Sequence, residues 1–327
     1  MRRLLLSIVI AALATRSGAG AQERFDFSAP LMATTFRISL HADSKAQAEK
    51  AADAAFRHIA FLNTVFSDYE PNSELIQLCN AANAAPGTGV KASAALFGLV
   101  SRALDIARKT DGAFDITCGN LSNLWRRAKR QKKLPPADRL QQALAATDWQ
   151  AVRLDAAVRT IAFTRSGMLL DVGGLAKGYA ADEGLRILRQ HGITRALVMA
   201  GGDIAIGDPP PGADAWEIKL RTFSKPADTA TGNEEPMETV RLKNCGVSTS
   251  GDLYQFTEID GVRYSHIISP RTGMGLTERI ACTAIAPDCA TSDALDTAMC
   301  VLGQQRGRQV IAKFYPDVTV MFATPAK

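Results

Sequence analysis

Four short stretches carry side chains from which a reaction could be built. Residues 171–182 read DVGGLAKGYAAD: an acid closing an apolar run, a glycine pair, a lysine and a third glycine. Gly173 and Gly174 let the backbone turn closely, and a helix beginning near Leu175 would aim free N–H groups at that turn. Such a helix start attracts anions, and Lys177 adds a full positive charge suited to a phosphate. The order of residues is neither a P-loop nor a dinucleotide-binding glycine fingerprint. Residues 200–208, AGGDIAIGD, repeat the design with Gly201, Gly202 and Asp203. Residues 244–256, NCGVSTSGDLYQF, set Ser248, Thr249 and Ser250 ahead of an acid, Asp252; such hydroxyls bond either a ligand's phosphates or their own turn.

In the fourth stretch, residues 286–303 (APDCATSDALDTAMCVLG), Asp293 and Thr297 lie four apart on one face of the first helical turns, with Asp296 on the adjoining face. A carboxylate and a hydroxyl are hard oxygen donors that leave room for water and phosphate, which suits Mg²⁺ better than Zn²⁺. Each stretch also has a plain structural explanation: a glycine turn, a bulge or hairpin, a hydroxyl-capped turn, acids offsetting a helix dipole. His266, in RYSHIISPRTG, has the look of a core histidine on an apolar strand, yet only four histidines are available for acid–base work. Arg271, beside Pro270, offers a phosphate clamp.

Several elements must hold these groups. FDFSAPLMATTFRISLHA reads as one or two strands. Residues 44–66 are alanine-rich with Ala52, Phe56, Ile59 and Phe66 at helical spacing, and Asp43 or Ser44 in position to cap. Further helices are expected over 93–110, stopping at Gly112, and over 136–147 after a proline pair. WQAVRLDAAVRTIAFT reads as strand, turn, strand. A helix over 175–190 ends at Gly192, RALVMAGG is a buried strand, and strands follow near 215–221, 239–249, 263–268 and 280–286. A helix over 291–302 ends at Gly303, another follows, and VTVMFAT closes as a strand. Strands outnumber a simple alternation, so the class is α+β. Residues 222–238, rich in Pro, Gly and Thr, read as an exposed loop. No linker is evident, so residues 22–327 are expected to form one unit.

With 327 residues and 46% hydrophobic content the chain can bury a large core. MRRLLLSIVIAALATRSGAGAQ has a basic start, an apolar run too short to span a bilayer, and a small-residue pattern implying cleavage after Ala21. No cysteine precedes Cys79, so a lipid anchor is not expected, and the mature protein is expected in the periplasm. Losing Arg2, Arg3 and Arg16 takes the formal charge from +5 to +2, which gives no argument for nucleic acid. The six cysteines show no CxxC and sit mostly among apolar neighbours, so buried thiols are expected rather than a zinc site or a disulfide framework. Nothing fixes the oligomeric state.

Taken together, MATTF (32–36), SDYEPNSELIQL (67–78), DGAFDIT (111–117), DVGGLAKGYAAD, AGGDI, STSGDLYQF, YSHIISPRTG and SDALDTAMCVLG, in this order, resemble the ApbE-like family of FAD:protein FMN transferases over roughly residues 28–325. The resemblance implies a single α+β domain related to T-folds. It implies an enzyme that binds FAD and Mg²⁺ and transfers FMN to a Thr or Ser of an acceptor flavoprotein, releasing AMP. By matching position, Met32, Tyr69, Ala113, Phe114, Asp115, Asp171, Lys177, His266 and Ile268 would contact FAD. Asp293, Thr297 and a backbone oxygen of Gly174 would hold the metal. The acceptor hydroxyl needs a base or close positioning; His266 is the first candidate, with Asp296 and Asp252 as rivals. Lys177 would offset charge on the phosphates. Two positions depart from the family's usual pattern: Ala33 replaces a glycine and Ser269 replaces an aspartate. Two further readings share the site, an Mg²⁺-dependent FAD pyrophosphatase and a non-catalytic periplasmic FAD-binding protein. A membrane would enter only through the acceptor or an uncleaved leader.

Overall fold

Alternating exposure along the first two strands sets the frame of the molecule. The computed structural model describes residues 22–221, 237–252 and 255–324; the expected leader 1–21 and residues 222–236 of the expected loop lie outside these. β1 (Glu23–Leu31) and β2 (Thr34–Ala42) pair antiparallel over their whole length, so the opening segment makes two strands. α1 (Lys45–Phe66) follows, its start capped by Ser44, whose hydroxyl accepts the Gln47 N–H at 3.3 Å. Ala48, Ala52, Ala55, Ile59 and Leu62 form its buried stripe.

α2 (Glu74–Ala84), β3 (Val90–Lys91), α3 (Ala94–Lys109), α4 (Gly119–Gln131), α5 (Ala137–Ala145), β4 (Val152–Asp155) and β5 (Thr160–Phe163) follow in chain order. α6 (Gly173–Gln190) then leads into β6 (Ala196–Ala200), β7 (Asp203–Ile206), β8 (Trp216–Arg221), β9 (Met237–Leu242) and β10 (Cys245–Gly251). β11 (Phe256–Ile259), β12 (Val262–Ser265), β13 (Ala281–Ala286), α7 (Cys289–Phe314) and β14 (Thr319–Ala323) complete it. α7 is broken at Gly303, which sits at φ 73°, where the sequence places a helix end.

Seven strands form one antiparallel sheet in the order β1-β2-β6-β7-β10-β13-β14. α6 packs between α1 and α7 on one face of that sheet. The period of two along β6 serves both faces: Ala196, Val198 and Ala200 join the main core under the helices, whereas Leu197 packs with Trp216, Ile218 and Leu220 of the β8–β9 ribbon on the other. The α+β class is therefore the observed one.

The differences from expectation are local. α2 and α4 were not anticipated. The segment near 239–249 is two strands, divided at Lys243–Asn244, with Asn244 at φ 47°. α6 starts at Gly173, two residues before the expected Leu175. All six cysteines are free.

Candidate active site

The β6–β7 hairpin shows how the sequence aims its chemistry. Ala200 pairs with Asp203, so Gly201 and Gly202 form a two-residue turn, and Gly201 takes φ 67°. The local form is the plain hairpin, but its aspartate is not merely a turn residue. Asp203, 4% exposed, holds the Lys177 ammonium at 2.5 Å and accepts a hydrogen bond from Ser248. Lys177 stands one turn into α6, 3.7 Å from Asp293 Oδ1. Desolvation pulls its pKa down, but the charges of Asp293 and Asp203 more than offset this, so the ammonium is retained.

Asp293 is set against α6 from the first turns of α7. Its Oδ2 accepts the Gly178 N–H at 3.0 Å, the proton a regular helix would give to the Gly174 carbonyl. Burial, then the charge of Asp203, raises the Asp293 pKa to about 7. Thr297 lies one turn further along, its Oγ1 3.1 Å from the Ser250 hydroxyl. A Cβ placed on Gly174 would come within 3.9 Å of that Oγ1 and 3.1 Å of the Phe114 ring, so the glycine start of α6, Phe114 and the Thr297 hydroxyl are neighbours. Ser248 and Ser250 therefore bond this cluster from a strand, and Thr249 bonds Thr283 across the sheet at 2.8 Å.

A cleft of about 1100 Å³ runs over these groups. Gly174, Lys177, Asp293 and Thr297 line it, as do Met32, Tyr69, Ala113 and Phe114. Asp115, Asp171, His266 and Ile268 complete the twelve positions that the family resemblance implies for FAD and metal, all of which line it. Asp296 does not line it. That residue is wholly buried behind the wall, with Oδ2 2.6 Å from the Ser248 oxygen and Oδ1 unpartnered; burial, then the charges of Asp293 and Asp203, raise its pKa. Asp252 is likewise 2% exposed and engaged by Arg263 at 3.0 Å and by Arg279 at 3.5 Å. Arg271 is spent on Asp111, 2.6 Å away, and lies outside the cleft lining.

The remaining wall is built from loops. His266 sits one residue past β12 at the cleft wall, its ring reached by solvent yet crowded by protein on its other sides, rather than in an apolar core. Its Nδ1 is 3.1 Å from the Gln255 carbonyl oxygen, which can only accept, so Nδ1 carries the hydrogen and Nε2 is left as a lone-pair acceptor. Desolvation, with Lys177's charge adding to it, lowers its pKa. Asp115 is consumed locally: it accepts from the Thr117 N–H and hydroxyl and from the Trp149 N–H, which orders the loop that presents Ala113 and Phe114. Met32 and Ala33 form the β1–β2 turn at φ 48° and 58°, a left-handed pair that glycine or asparagine would occupy with less strain.

Arg126 is among the cleft residues that the sequence did not single out. Arg126 of α4 bonds Asp68 at 2.6 Å and Asp171 at 3.4 Å, and its guanidinium carbon lies 4.1 Å from the Tyr69 ring centre. It belongs to the run WRRAKRQKK, in which nothing about spacing distinguishes one cation from the next.

A divalent cation's needs can be set against the oxygens present. Among the described residues no three His, Cys, Asp or Glu side chains converge as a ready-made metal cluster. Buried Asp293, the Thr297 hydroxyl and the nearby Gly174 backbone are hard oxygen donors, and the wall behind them holds the orphaned Asp296 Oδ1. Such a set fits a hard cation that completes its shell with water or ligand phosphate, as Mg²⁺ does.

Fold and cleft thus define an α+β protein whose large concavity joins a helix N-terminus to a buried carboxylate–hydroxyl pair. The chain belongs to the ApbE family, which it matches over residues 32–322. It is 33% identical over 296 residues to a FAD:protein FMN transferase of Treponema pallidum, an alignment spanning 86% of this chain and 79% of that protein. Its structure is similar to the flavin transferase ApbE from Vibrio cholerae (TM-score 0.79, 27% identity, 92% of this chain and 93% of that one). It is equally similar to the apo form of the Pseudomonas stutzeri flavinyl transferase ApbE (TM-score 0.79, 25% identity, 94% and 92% covered).

Proposed function

We propose that the chain is an Mg²⁺-dependent FAD:protein FMN transferase, exported through residues 1–21 and acting on a Thr or Ser of a periplasmic or membrane-associated flavoprotein. The observation carrying this reading is the convergence, in one cleft, of the α6 start, Lys177 and the Asp293–Thr297 pair with a wall containing Met32, Tyr69 and Phe114. The cleft has room for a dinucleotide: its volume reaches the upper end of the range of ordinary ligand pockets, about 1000 Å³.

The chemistry follows from the groups present. The acceptor hydroxyl attacks the phosphorus on the FMN side of the pyrophosphate, the bridging P–O bond breaks, and AMP leaves with that oxygen. His266 Nε2, its tautomer fixed by the Gln255 carbonyl, takes the hydroxyl proton. Lys177, held by Asp203, offsets the charge gathering on the non-bridging oxygens. The N-terminal end of the α6 dipole supplies a further partial positive charge, although the Gly173, Leu175 and Ala176 N–H groups are bonded to Asp171 and the Val172 carbonyl. When bound by Asp293, Thr297 and the Gly174 carbonyl, Mg²⁺ supplies Lewis-acid neutralisation of the diphosphate. Asp296 and Asp252 are assigned no proton transfer, since neither carboxylate reaches the cleft. Water in place of the acceptor hydroxyl would make the same site a pyrophosphatase.

The test is incubation with FAD, Mg²⁺ and a candidate acceptor, followed by intact mass measurement and nucleotide analysis. An acceptor heavier by one FMN, with equimolar AMP, is the expected result. AMP and free FMN without an adduct would replace the transferase by the pyrophosphatase, and unchanged FAD would leave only a binding protein.

A further inference from the structure

Tyr69 is 67% exposed, yet its ring is not loose. The Arg126 guanidinium covers one face at 4.1 Å, within cation–π range, and the other face is left to the cleft that Tyr69 lines. Arg126 is itself fixed from two sides: Nη1 grips Asp68 at 2.6 Å and Nη2 reaches Asp171 at 3.4 Å. Asp171 in turn accepts the Gly173 N–H at 2.8 Å. One side chain of α4 therefore ties together the 67–70 loop, the acid before α6 and the start of α6, and all three border the same cleft. The two aspartates are each only about an eighth exposed, at 12% and 13%. Without Arg126 they would present two uncompensated carboxylates to a ligand that is itself an anion.

We propose that Arg126 is a positioning residue: it locks Tyr69 as a flat platform for an aromatic ring of the flavin dinucleotide and neutralises the Asp68–Asp171 pair beside it. This rests on the flavin-nucleotide reading of the cleft. A tyrosine held in one orientation before binding spares the ligand the cost of ordering it. The planar, forked guanidinium matters more than its charge, since an ammonium cannot lie flat on a ring while bonding two carboxylates. Arg126 touches no reacting atom in this scheme, so its loss acts on affinity.

The experiment is an FAD titration of the purified protein by flavin fluorescence, with steady-state transfer kinetics, for wild type, Arg126→Gln, Arg126→Lys, Tyr69→Leu and the double variant Arg126→Gln/Tyr69→Leu. Arg126→Gln should weaken FAD binding and raise its KM by about tenfold, with kcat at saturating FAD changed far less. The double variant should lose about as much as the worse single one, because both changes remove one platform; independent effects would multiply. Arg126→Lys should recover only part of the loss. Unchanged affinity in a folded Arg126→Gln protein, multiplying effects, or full rescue by lysine would each overturn the proposal. Should Arg126→Gln fail to fold, the comparison of Arg126→Lys with Tyr69→Leu decides by the same criteria. Wild-type protein that binds no FAD at all would sink the proposed function and this inference with it, whereas normal wild-type binding with an indifferent Arg126 would sink the inference alone.

Discussion

Gly178 is a close approach between the two helices that carry the site, and its replacement by alanine isolates what their spacing does. A Cβ there would lie 2.4 Å from the Cys289 carbonyl oxygen, 2.8 Å from its carbon and 2.9 Å from the Asp293 Cβ. Ordinary contact begins near 3.4 Å, so the first turn of α7 must retreat by about 1 Å. The atoms in the way are backbone and a buried Cβ, which cannot swing aside. Retreat stretches two hydrogen bonds of 2.9 Å by which Asp182 holds the Cys289 and Ala290 N–H groups, and that of 3.0 Å from Gly178 to Asp293. Overpacking of this kind costs about 1–3 kcal/mol, against which alanine's better helix propensity returns up to about 1 kcal/mol. The net loss of stability is modest, a few degrees in Tm at most. Activity should suffer more, because Asp293 and Thr297 move with α7 away from Gly174, and a 1 Å misplacement can cost about 10²-fold. The assay is the initial rate of FMN transfer across a range of Mg²⁺ concentrations, with Tm measured on the same preparations. Gly98→Ala, in α3 where an added Cβ meets nothing within 4 Å, is the control and should keep full activity with equal or higher Tm. A Gly178→Ala protein within about threefold of wild-type rate and within a degree of its Tm would refute the claim that this contact sets the site.

Three other outcomes follow from the same geometry. Asp182→Ala removes the acceptor for two N–H groups at the start of α7 and should cost about 2–3 kcal/mol in urea denaturation. Burial raises the Asp182 pKa to about 7, above its unfolded value, so protonation favours the folded state; that contribution is complete below about pH 4 and lost as pH rises through 7. Relative to Asp182→Asn, wild-type stability should therefore decline over that window. The kcat/KM profile at saturating Mg²⁺ should show an acid limb with its midpoint below 6.5, because desolvation lowers the His266 pKa and only the neutral ring accepts a proton. His266→Ala should lose that limb and about 10²–10⁴-fold in rate. Chelation by EDTA should stop AMP release and Mg²⁺ restore it, and Asp293→Asn should raise the Mg²⁺ requirement by about tenfold or more.

What the sequence made legible was whatever a few adjacent residues decide. Ser44 announces α1 because an N-cap is a local contact, and Gly303 ends a helical segment because a φ of 73° suits glycine. The resemblance to the ApbE-like family supplied the positions that the cleft gathers, although their scatter over six places along the chain has no local cause. Residues acting across the fold were out of reach. Arg126 is one of several cations in its run until α4 is docked against Asp68, Asp171 and Tyr69. Asp296, on the adjoining helical face, reads as a rival general base, and only the placement of β10 shows that Ser248 and the strand bury it. His266 fails in the opposite direction: apolar neighbours suggested burial, yet β12 ends at Ser265 and releases it to the cleft edge.

The buried acids behind the cleft pose a charge problem whose resolution bears on the metal. Asp203, Asp293 and Asp296 are 4%, 2% and 0% exposed, and Lys177 is the cation among them. Ser248 has one proton, yet its oxygen lies within hydrogen-bond reach of both Asp203 and Asp296, so one of those contacts requires a proton on a carboxyl. Asp296 is the one to carry it, being the deepest and facing two other acids. Asp203 then pairs with Lys177, which leaves Asp293 with a single N–H donor and an ammonium 3.7 Å away that is already committed. A lone buried carboxylate at the wall would repel a diphosphate lying against it. Bringing the two together demands a cation that both can share, and the hard oxygens of Asp293 and Thr297 favour a divalent one. Removing Asp293's charge should therefore ease the binding of FAD without Mg²⁺ even as it abolishes the response to the ion, whereas a carboxylate of purely structural purpose would leave both unchanged.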